Sequence, residues 1–325
     1  MAFLNKWLKS ASTDWLHGPV PGTERTQIKS DQHYIKVRVE SMRLQYSRIG
    51  FTNFHAVVHC YFSYMHDEAG RVSMRNITSP ANLQKLDKKG IQNVLQLGET
   101  VLGPIPYRAA ELELEIGLFA VMSDDISDSF LKFVTEVSNL GGVSFVKAAL
   151  PVLDLVKSGV DLLLGTDKAT SLLVGVAQGI SDPHTGTYML IASDKSNFTQ
   201  DDFRIDPTDG RLIRNEKPFE EADYIVYSIS SDTTRSNWAE IPDLKNAYNA
   251  LLEKIKNGVE QNAKPALEAF RLACVTSPDL LLEDQDRLYE KGKQVYDRAF
   301  PAGPTTENSI DRSLYPEFAN LELYR

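Results

Sequence analysis

The chain has 325 residues, of which 42% are hydrophobic and 24% are charged. These proportions are typical of a folded protein, and they exclude wholesale disorder. The 44 acidic residues exceed the 35 basic ones and give a formal net charge of −9. This balance argues against a nucleic-acid partner, because neutralising phosphates requires a basic face.

The N-terminal segment combines a short amphipathic stretch with turn residues. Phe3, Leu4, Trp7 and Leu8 recur at helical spacing with lysines beside them. This pattern predicts a helix that contacts a membrane surface, a partner or its own domain. The segment lacks an apolar run followed by a small-residue cleavage site, so we expect a cytoplasmic protein. We assign residues 1–32 to this helix and a linker.

Three strands are predicted in the first half of the chain. Residues 34–46 alternate between apolar and charged side chains until the phase slips at Ser41, which predicts a β-bulge. Residues 53–65 and 111–122 alternate in the same way. In the last of these strands we expect Glu111, Glu113 and Glu115 to face outward.

Residues 124–165 are predicted to form a helical hairpin joined by Gly141 and Gly142. Its second half, residues 141–165, is the longest apolar stretch in the chain. On a helix, its four charged residues gather on one polar edge: Lys147, Asp154, Lys157 and Asp161. Each charge costs about 2.5–3.5 kcal/mol at the centre of a bilayer, which is more than several aliphatic residues return. The segment therefore predicts a core helix rather than a membrane span.

Strand patterns return after the hairpin, at residues 171–180, 186–193 and 222–231. A small hairpin is expected around the sequence DPTDG, residues 206–210. From Ile241 the pattern becomes helical, with Pro242 at a first helical position. A later helix is predicted to start with Ser277 as its N-cap and to repeat Leu281, Leu288 and Val295 every seven residues.

Several short strands with polar turns and few intervening helices predict an α+β protein with an antiparallel β-sandwich. By strand pattern alone the sandwich resembles a C2-type or jelly-roll arrangement. We assign it to residues 33–235, with the helical hairpin of residues 124–165 inserted. A helical region follows over residues 236–300, and a tail over residues 301–325.

No sequence motif defines a catalytic site. His55 and His59 have the spacing of a helical metal pair, but on a strand they lie about 13 Å apart. The chain has no match to a nucleophile elbow or to a phosphate-binding glycine loop. Its two cysteines, Cys60 and Cys274, are expected to be small buried hydrophobic residues.

Acidic residues in turns are weak candidates for a calcium site, although aspartate is also a common turn residue. The candidate ligands are Asp67, Asp182, Asp206, Asp209 and Asp232. No other metal or cofactor is expected.

These observations favour a non-enzymatic binding or scaffold protein that contacts a protein partner or its own copies. Two alternatives stay open: a peripheral membrane protein that binds lipid through the Trp7 helix or through calcium held by the acidic loops, and an enzyme whose site is assembled from scattered residues. The expected contact residues are the apolar members of the two terminal segments: Phe3, Leu4, Trp7, Leu8, Tyr315, Phe318, Leu321 and Tyr324.

Overall fold

The computed structural model describes residues 15–43, 48–49, 52–66, 70–77, 94–108, 112–122, 170–192 and 198–301. Within these ranges the protein is a mixed α+β structure with antiparallel sheets and three α-helices. The chain divides into two compact units, Met1–Arg235 and Ser236–Arg325. The predicted N-terminal helix, helical hairpin and C-terminal tail lie outside the described residues.

The main sheet of the first unit has five antiparallel strands. In spatial order they are β1 (Trp15–Pro19), β9 (Gly186–Ala192), β13 (Tyr224–Asp232), β2 (Tyr34–Arg43) and β6 (Val94–Pro106). The consecutive residues Tyr224, Ile225, Val226 and Tyr227 are fully buried. Because successive side chains of a strand point to opposite faces, both faces of this sheet are covered at β13.

β1 occupies a stretch that we had assigned to a linker. Its five residues pair with β9 from Trp15 opposite Ala192 to Pro19 opposite Tyr188. Its sequence, WLHGP, lacks a clear apolar alternation, which explains why the pattern did not predict a strand. The pairing with β9 therefore stabilises β1 more than local propensity does.

The predicted bulge in β2 is confirmed. Val39 pairs with Tyr227 and Ser41 pairs with Val226, which leaves Glu40 as the extra residue. The register with β6 also shifts between Val39 and Ser41. The Glu40 carboxylate accepts a hydrogen bond from the Ser228 hydroxyl across the sheet.

A second sheet of the same unit confirms the predicted strands at residues 53–65 and 111–122. It contains β3 (Arg48–Ile49), β4 (Thr52–His66), β5 (Gly70–Ile77), β7 (Leu112–Met122) and β8 (Thr170–Ile180). The expectation that Glu115 faces solvent is wrong, since its exposed fraction is 1%. Leu114, Glu115 and Ile116 are all buried, so neither face of β7 is exposed to solvent at these residues.

A small third sheet contains β10 (Phe203–Ile205), β11 (Leu212–Arg214) and β12 (Lys217–Pro218). It confirms the hairpin predicted around residues 206–210. Phe203 of β10 and Phe219, which follows β12, pack with Met189, Ile191 and Tyr224 of the main sheet. The rings of Phe203 and Phe219 meet edge to face with their centroids 5.0 Å apart, an arrangement that aromatic quadrupoles favour.

The second unit contains α1 (Pro242–Lys256), α2 (Glu260–Val275) and α3 (Leu282–Ala299). Pro242 occupies the first helical position, as predicted. The predicted start of the last helix at Ser277 is wrong, because the Ser277 hydroxyl accepts the Asp279 N–H in a turn and α3 begins at Leu282. The heptad residues Leu281, Leu288 and Val295 are buried, as their spacing predicted.

α2 and α3 pack closely at Gly292. A Cβ atom at this position would lie 2.6 Å from a ring carbon of Phe270. Phe270 also packs against Tyr248 of α1, with ring centroids 5.1 Å apart. The absent side chain of Gly292 therefore makes room for the aromatic centre of the helical unit. Within the described residues, the protein has no helix that is both long and apolar enough to cross a membrane.

Candidate functional site

An aromatic cluster lies on one face of the main sheet. Tyr188 of β9 is directly opposite Tyr227 of β13, and their rings stack with centroids 5.3 Å apart. His17 of β1 stacks on the same pair, and its Nε2 atom lies 2.8 Å from the Tyr227 hydroxyl. The cluster thus joins the edge strand β1 to the buried strand β13 through a hydrogen bond between side chains.

Burial keeps the groups of this cluster uncharged at neutral pH. It lowers the pKa of His17 from 6.5 to about 4. It also raises the pKa of Tyr227, with smaller contributions from Tyr188 and Cys60. Burial, and secondarily the charge of Glu115, raises the pKa of the Cys60 thiol to about 12. A thiol with so high a pKa is a poor nucleophile, so this cluster is suited to packing and to a response to acid.

Residues from the surrounding loops contact β1 and Tyr188 of the cluster. The Gln200 side-chain amide donates to the backbone carbonyl of His17 at 3.1 Å. The Tyr188 hydroxyl donates to the carbonyl of His184 at 2.9 Å. The Arg25 guanidinium carbon lies 6.0 Å from the centre of the Tyr188 ring, within the range of a cation–π contact.

Two of the calcium candidates are engaged within their own turn. The Asp206 carboxylate accepts the N–H and the hydroxyl of Thr208, at 2.8 and 2.5 Å. Asp209 accepts the Arg211 N–H at 3.1 Å and forms an ion pair with the Arg211 guanidinium. Both are therefore stabilising the DPTDG turn, as short polar side chains in turns commonly do.

Asp209 and Asp232 lie at separate places in the first unit. Asp232 pairs with Tyr34 at one end of β2, whereas the Gly210 carbonyl next to Asp209 accepts the hydroxyl of Ser41. Seven residues of β2 separate Tyr34 from Ser41, which is about 23 Å along a strand. No three histidine, cysteine, aspartate or glutamate side chains of the described residues are grouped to hold a metal ion.

Of the remaining two calcium candidates, Asp182 belongs to the described residues and Asp67 does not. The Asp182 carboxylate accepts the side-chain amide of Gln27 at 2.9 Å. Burial, and secondarily the charge of Asp182, raises the pKa of Tyr107. Tyr107 follows Pro106, which pairs with Tyr34. Asp182 thus lies towards the Asp232 end of the sheet, while Asp67 is outside the described residues.

The two histidines with helical metal spacing lie on a strand, as predicted. His55 is opposite Val121 and His59 is opposite Gly117 in the pairing of β4 with β7. Four residues of strand separate them by about 13 Å, which is too far for both to bind one ion.

An exposed apolar surface occurs in the helical unit. Leu272 and Val275 of α2 have exposed fractions of 63% and 53%, and Leu282 of α3 has 69%. We call these three side chains the α2–α3 patch. They differ from the buried stripe of α2, which consists of Ala263, Leu267, Phe270 and Cys274.

Val275 and Leu282 of the α2–α3 patch lie on one side of the helix pair, and Leu272 is three residues before Val275 on neighbouring helix surface. The Arg271 guanidinium of α2 lies 5.9 Å from the ring of Tyr289 of α3. Val275 is four residues after Arg271, and Leu282 is seven residues before Tyr289, so each shares the helix face of its neighbour. The contact between Arg271 and Tyr289 therefore places Val275 and Leu282 on the same side, at the end where α2 finishes and α3 begins.

The charged residues beside the patch are predominantly acidic. Glu283 and Asp286 flank Leu282 on α3 and are exposed. On α2, Arg271 is paired with Glu268 at 3.1 Å. A ligand that covers the patch thus meets aliphatic carbon bordered by negative charge.

Comparisons with protein-family models, with curated proteins and with solved structures found no match.

The contact residues predicted in the terminal segments, residues 3–8 and 315–324, lie outside the described residues. Sequence reasoning missed the α2–α3 patch, although a signal was present. Leu272 and Val275 fall outside the 4-3-4 spacing of the buried residues of α2, so a helical projection would have separated them from the core.

Proposed function

We propose that this protein is a non-enzymatic binding or scaffold protein that acts through protein–protein contacts, and that the α2–α3 patch is a contact surface. The observation that carries the proposal is the exposure of Leu272, Val275 and Leu282 on one side of the helical unit. Burying one such side chain contributes about 1.5–3 kcal/mol. A partner that covers all three gains the apolar centre on which protein interfaces depend.

The charges beside the patch favour a protein partner over a lipid surface. Glu283 and Asp286 would lie against the headgroups if Leu282 entered a membrane. The cytoplasmic leaflet is negatively charged, so these carboxylates would be repelled. A protein surface with an apolar centre and basic residues at its edge satisfies both features of the patch.

For the first unit we propose that the two five-stranded sheets face each other as a β-sandwich. The support is the effect of the Cys60 thiol of β4 on the pKa of Tyr227 of β13, which requires the two strands to be close. We also propose a cytoplasmic location. Both cysteines are free thiols, the state that reducing compartments maintain.

Site-specific photocrosslinking tests the proposed contact surface. A photoreactive amino acid at Val275 is expected to yield crosslinks to another protein, or to a second copy, in cells that express the full chain. Val259 is the matched control position, since it is 46% exposed but precedes the opposite end of α2. Equal crosslinking from both positions, or none from Val275, would contradict the proposal. The variant Leu272→Asp is expected to abolish the crosslinks formed at Val275.

A further inference from the structure

We infer that the partner that covers the α2–α3 patch is a basic amphipathic helix. Such a helix carries apolar residues at i, i+3 or i+4, and i+7, with lysine or arginine side chains along one flank of that stripe. This inference rests on the proposed function, because it concerns the same surface, and it deepens that function by naming the class of partner. The directions of α2 and α3, the spacing of the patch and the charges beside it carry the argument.

α2 and α3 run antiparallel, which determines where the members of the patch lie along the pair. At the start of α2, the Glu260 carboxylate accepts a hydrogen bond from the Tyr296 hydroxyl, near the end of α3, at 3.2 Å. Further along α2, the Arg271 guanidinium lies 5.9 Å from the ring of Tyr289, which precedes Tyr296 on α3. The two contacts therefore occur in opposite order along the two helices.

The aliphatic side chains of the patch span about two turns of a docked helix. Arg271 and Tyr289 lie at about the same level along the pair. Leu272 is one residue beyond Arg271, and Leu282 is seven residues before Tyr289. These offsets place Leu272 and Leu282 about 9 Å apart along the helix axes, with Val275 about half-way between them. A helix that lies along the pair and contacts all three presents apolar side chains at i, i+3 or i+4, and i+7, as helices in apolar grooves do.

A row of carboxylates borders the patch on α3. Glu283, Asp286 and Glu290 are exposed, and their spacing of i, i+3 and i+7 puts them on one face of the helix, beside Leu282. We call these three residues the acidic row. The row follows the same direction as the patch, so a helix docked on the patch runs alongside it.

The basic side chains close to the acidic row in sequence are engaged elsewhere. Arg287 is paired with Asp284 at 2.7 Å, and Lys293 is paired with Asp297 at 2.6 Å. Within the described residues, no member of the acidic row forms an ion pair. A cation on a partner can therefore pair with the row without first breaking an existing ion pair.

The positions of the row and the patch define the charge pattern of the partner. Because the row lies on one side of Leu282, the basic side chains of a docked helix lie on one flank of its apolar stripe. Pairs at such an exposed rim are individually weak, but they speed encounter and are weakened by salt. The apolar stripe supplies most of the affinity, and the basic flank selects this partner over an acidic amphipathic helix.

Binding of a synthetic peptide to the full-length protein tests this pairing. The probe is a fluorescent, alanine-based helical peptide that carries leucines at i, i+4 and i+7 and lysines on one flank of the leucines. A twin peptide carries glutamates in place of the lysines. Fluorescence anisotropy compares the native protein with the variant Glu283→Gln/Asp286→Asn/Glu290→Gln, which removes the acidic row and keeps the apolar patch.

We expect removal of the acidic row to weaken binding of the lysine peptide about tenfold. The glutamate twin is expected to bind the native protein more weakly than the lysine peptide by about tenfold or more. Leu272→Ser, which removes apolar surface and no charge, should also weaken the lysine peptide about tenfold.

A control variant separates the acidic row from the net charge of the protein. Glu24→Gln/Asp201→Asn/Glu216→Gln removes the same charge from exposed carboxylates of the first unit, and it is expected to bind the lysine peptide as the native protein does. The substituted side chains of the acidic row and of the control are exposed, so both variants should keep the native thermal midpoint.

Three results would overturn the inference. The first is equal binding of the lysine peptide and its glutamate twin to the native protein. The second is unchanged binding after the acidic row is removed. The third is an equal loss in the acidic-row variant and in the first-unit control, because that result assigns the effect to net charge.

Photocrosslinking from Val275 separates a failure of this inference from a failure of the proposed function. Crosslinks to another protein that persist after the acidic row is removed would keep the contact surface and reject the basic helix. Equal crosslinking from Val275 and Val259 would reject the contact surface itself.

Discussion

The buried imidazole of His17 predicts a loss of stability in mild acid. Above pH 6.5 the imidazole is neutral in the folded and the unfolded chain, and the full stability is present. As the pH falls below 6.5, the unfolded chain binds the proton first, because burial lowers the folded pKa to about 4. For one such group, the free energy of unfolding falls by about 2 kcal/mol between pH 7.5 and pH 5.

A variant isolates this contribution from the other titrating groups. His17→Gln keeps a side chain that can hydrogen-bond to the Tyr227 hydroxyl but removes the titration. We expect its loss of stability between pH 7.5 and pH 5 to be smaller than that of the native protein by about 2 kcal/mol.

Urea unfolding at the two pH values, followed by tryptophan fluorescence, measures the effect. The reasoning is refuted if His17→Gln and the native protein lose equal stability between pH 7.5 and pH 5. An NMR titration gives an independent check. A His17 imidazole that protonates near its ordinary pKa of 6.5 in the folded protein would contradict the burial effect.

Three further predictions concern packing and thiol reactivity. Gly292→Ala should destabilise the helical unit by about 1–3 kcal/mol in thermal unfolding, because a Cβ atom would press on the Phe270 ring. Gln294→Ala at an exposed position of the same helix is the control, and an equal loss of stability in that variant would contradict the clash with Phe270. Phe219→Ala should destabilise the first unit by about 3–5 kcal/mol by opening a cavity among buried aromatic rings, and a loss below about 1 kcal/mol would show that the cluster is loosely packed. Burial raises the pKa of the Cys274 thiol to about 12, so native protein near pH 7 should react with a thiol reagent only after unfolding; fast labelling of the native protein would disprove this.

The elements that the sequence predicted well are those whose pattern is local. The slip in β2 was visible at Ser41 because the alternation changes phase within a few residues. Pro242 predicted the start of α1, since its missing N–H is harmless at a first helical position. The heptad of α3 likewise identified Leu288 and Val295 as buried.

The elements that the sequence did not predict depend on distant neighbours. β6 contains Gly103, Pro104 and Pro106, residue types that are uncommon within strands, yet it forms the end strand of the main sheet, where proline is tolerated. Glu115 stands at a position of the alternation where a solvent-facing residue is expected. It is buried because of tertiary packing, which the strand pattern does not contain. A strand pattern alone carries no information about the second face of a sheet.

The candidate site shows the same division between local and distant information. The helices of the second unit were predicted, but the exposure of Leu272 and Val275 depends on which face of α2 meets α1 and α3. The hydrogen bond between His17 and Tyr227 joins residues 210 positions apart in the sequence. No local pattern predicts such a pair. The distance between Asp209 and Asp232 likewise follows from the pairing of the strands, which the local sequence does not reveal.

The position of β13 also determines when the first unit can assemble during synthesis. β13 lies between β9 and β2 and pairs with both, so neither strand has its inner neighbour until residues 224–232 have been made. β1 emerges first from the ribosome, yet its partner β9 follows about 170 residues later. Such non-local pairing slows folding and leaves apolar strands exposed in the nascent chain. We expect this protein to depend on chaperones until Asp232 has emerged, and then to fold its main sheet in a single late step.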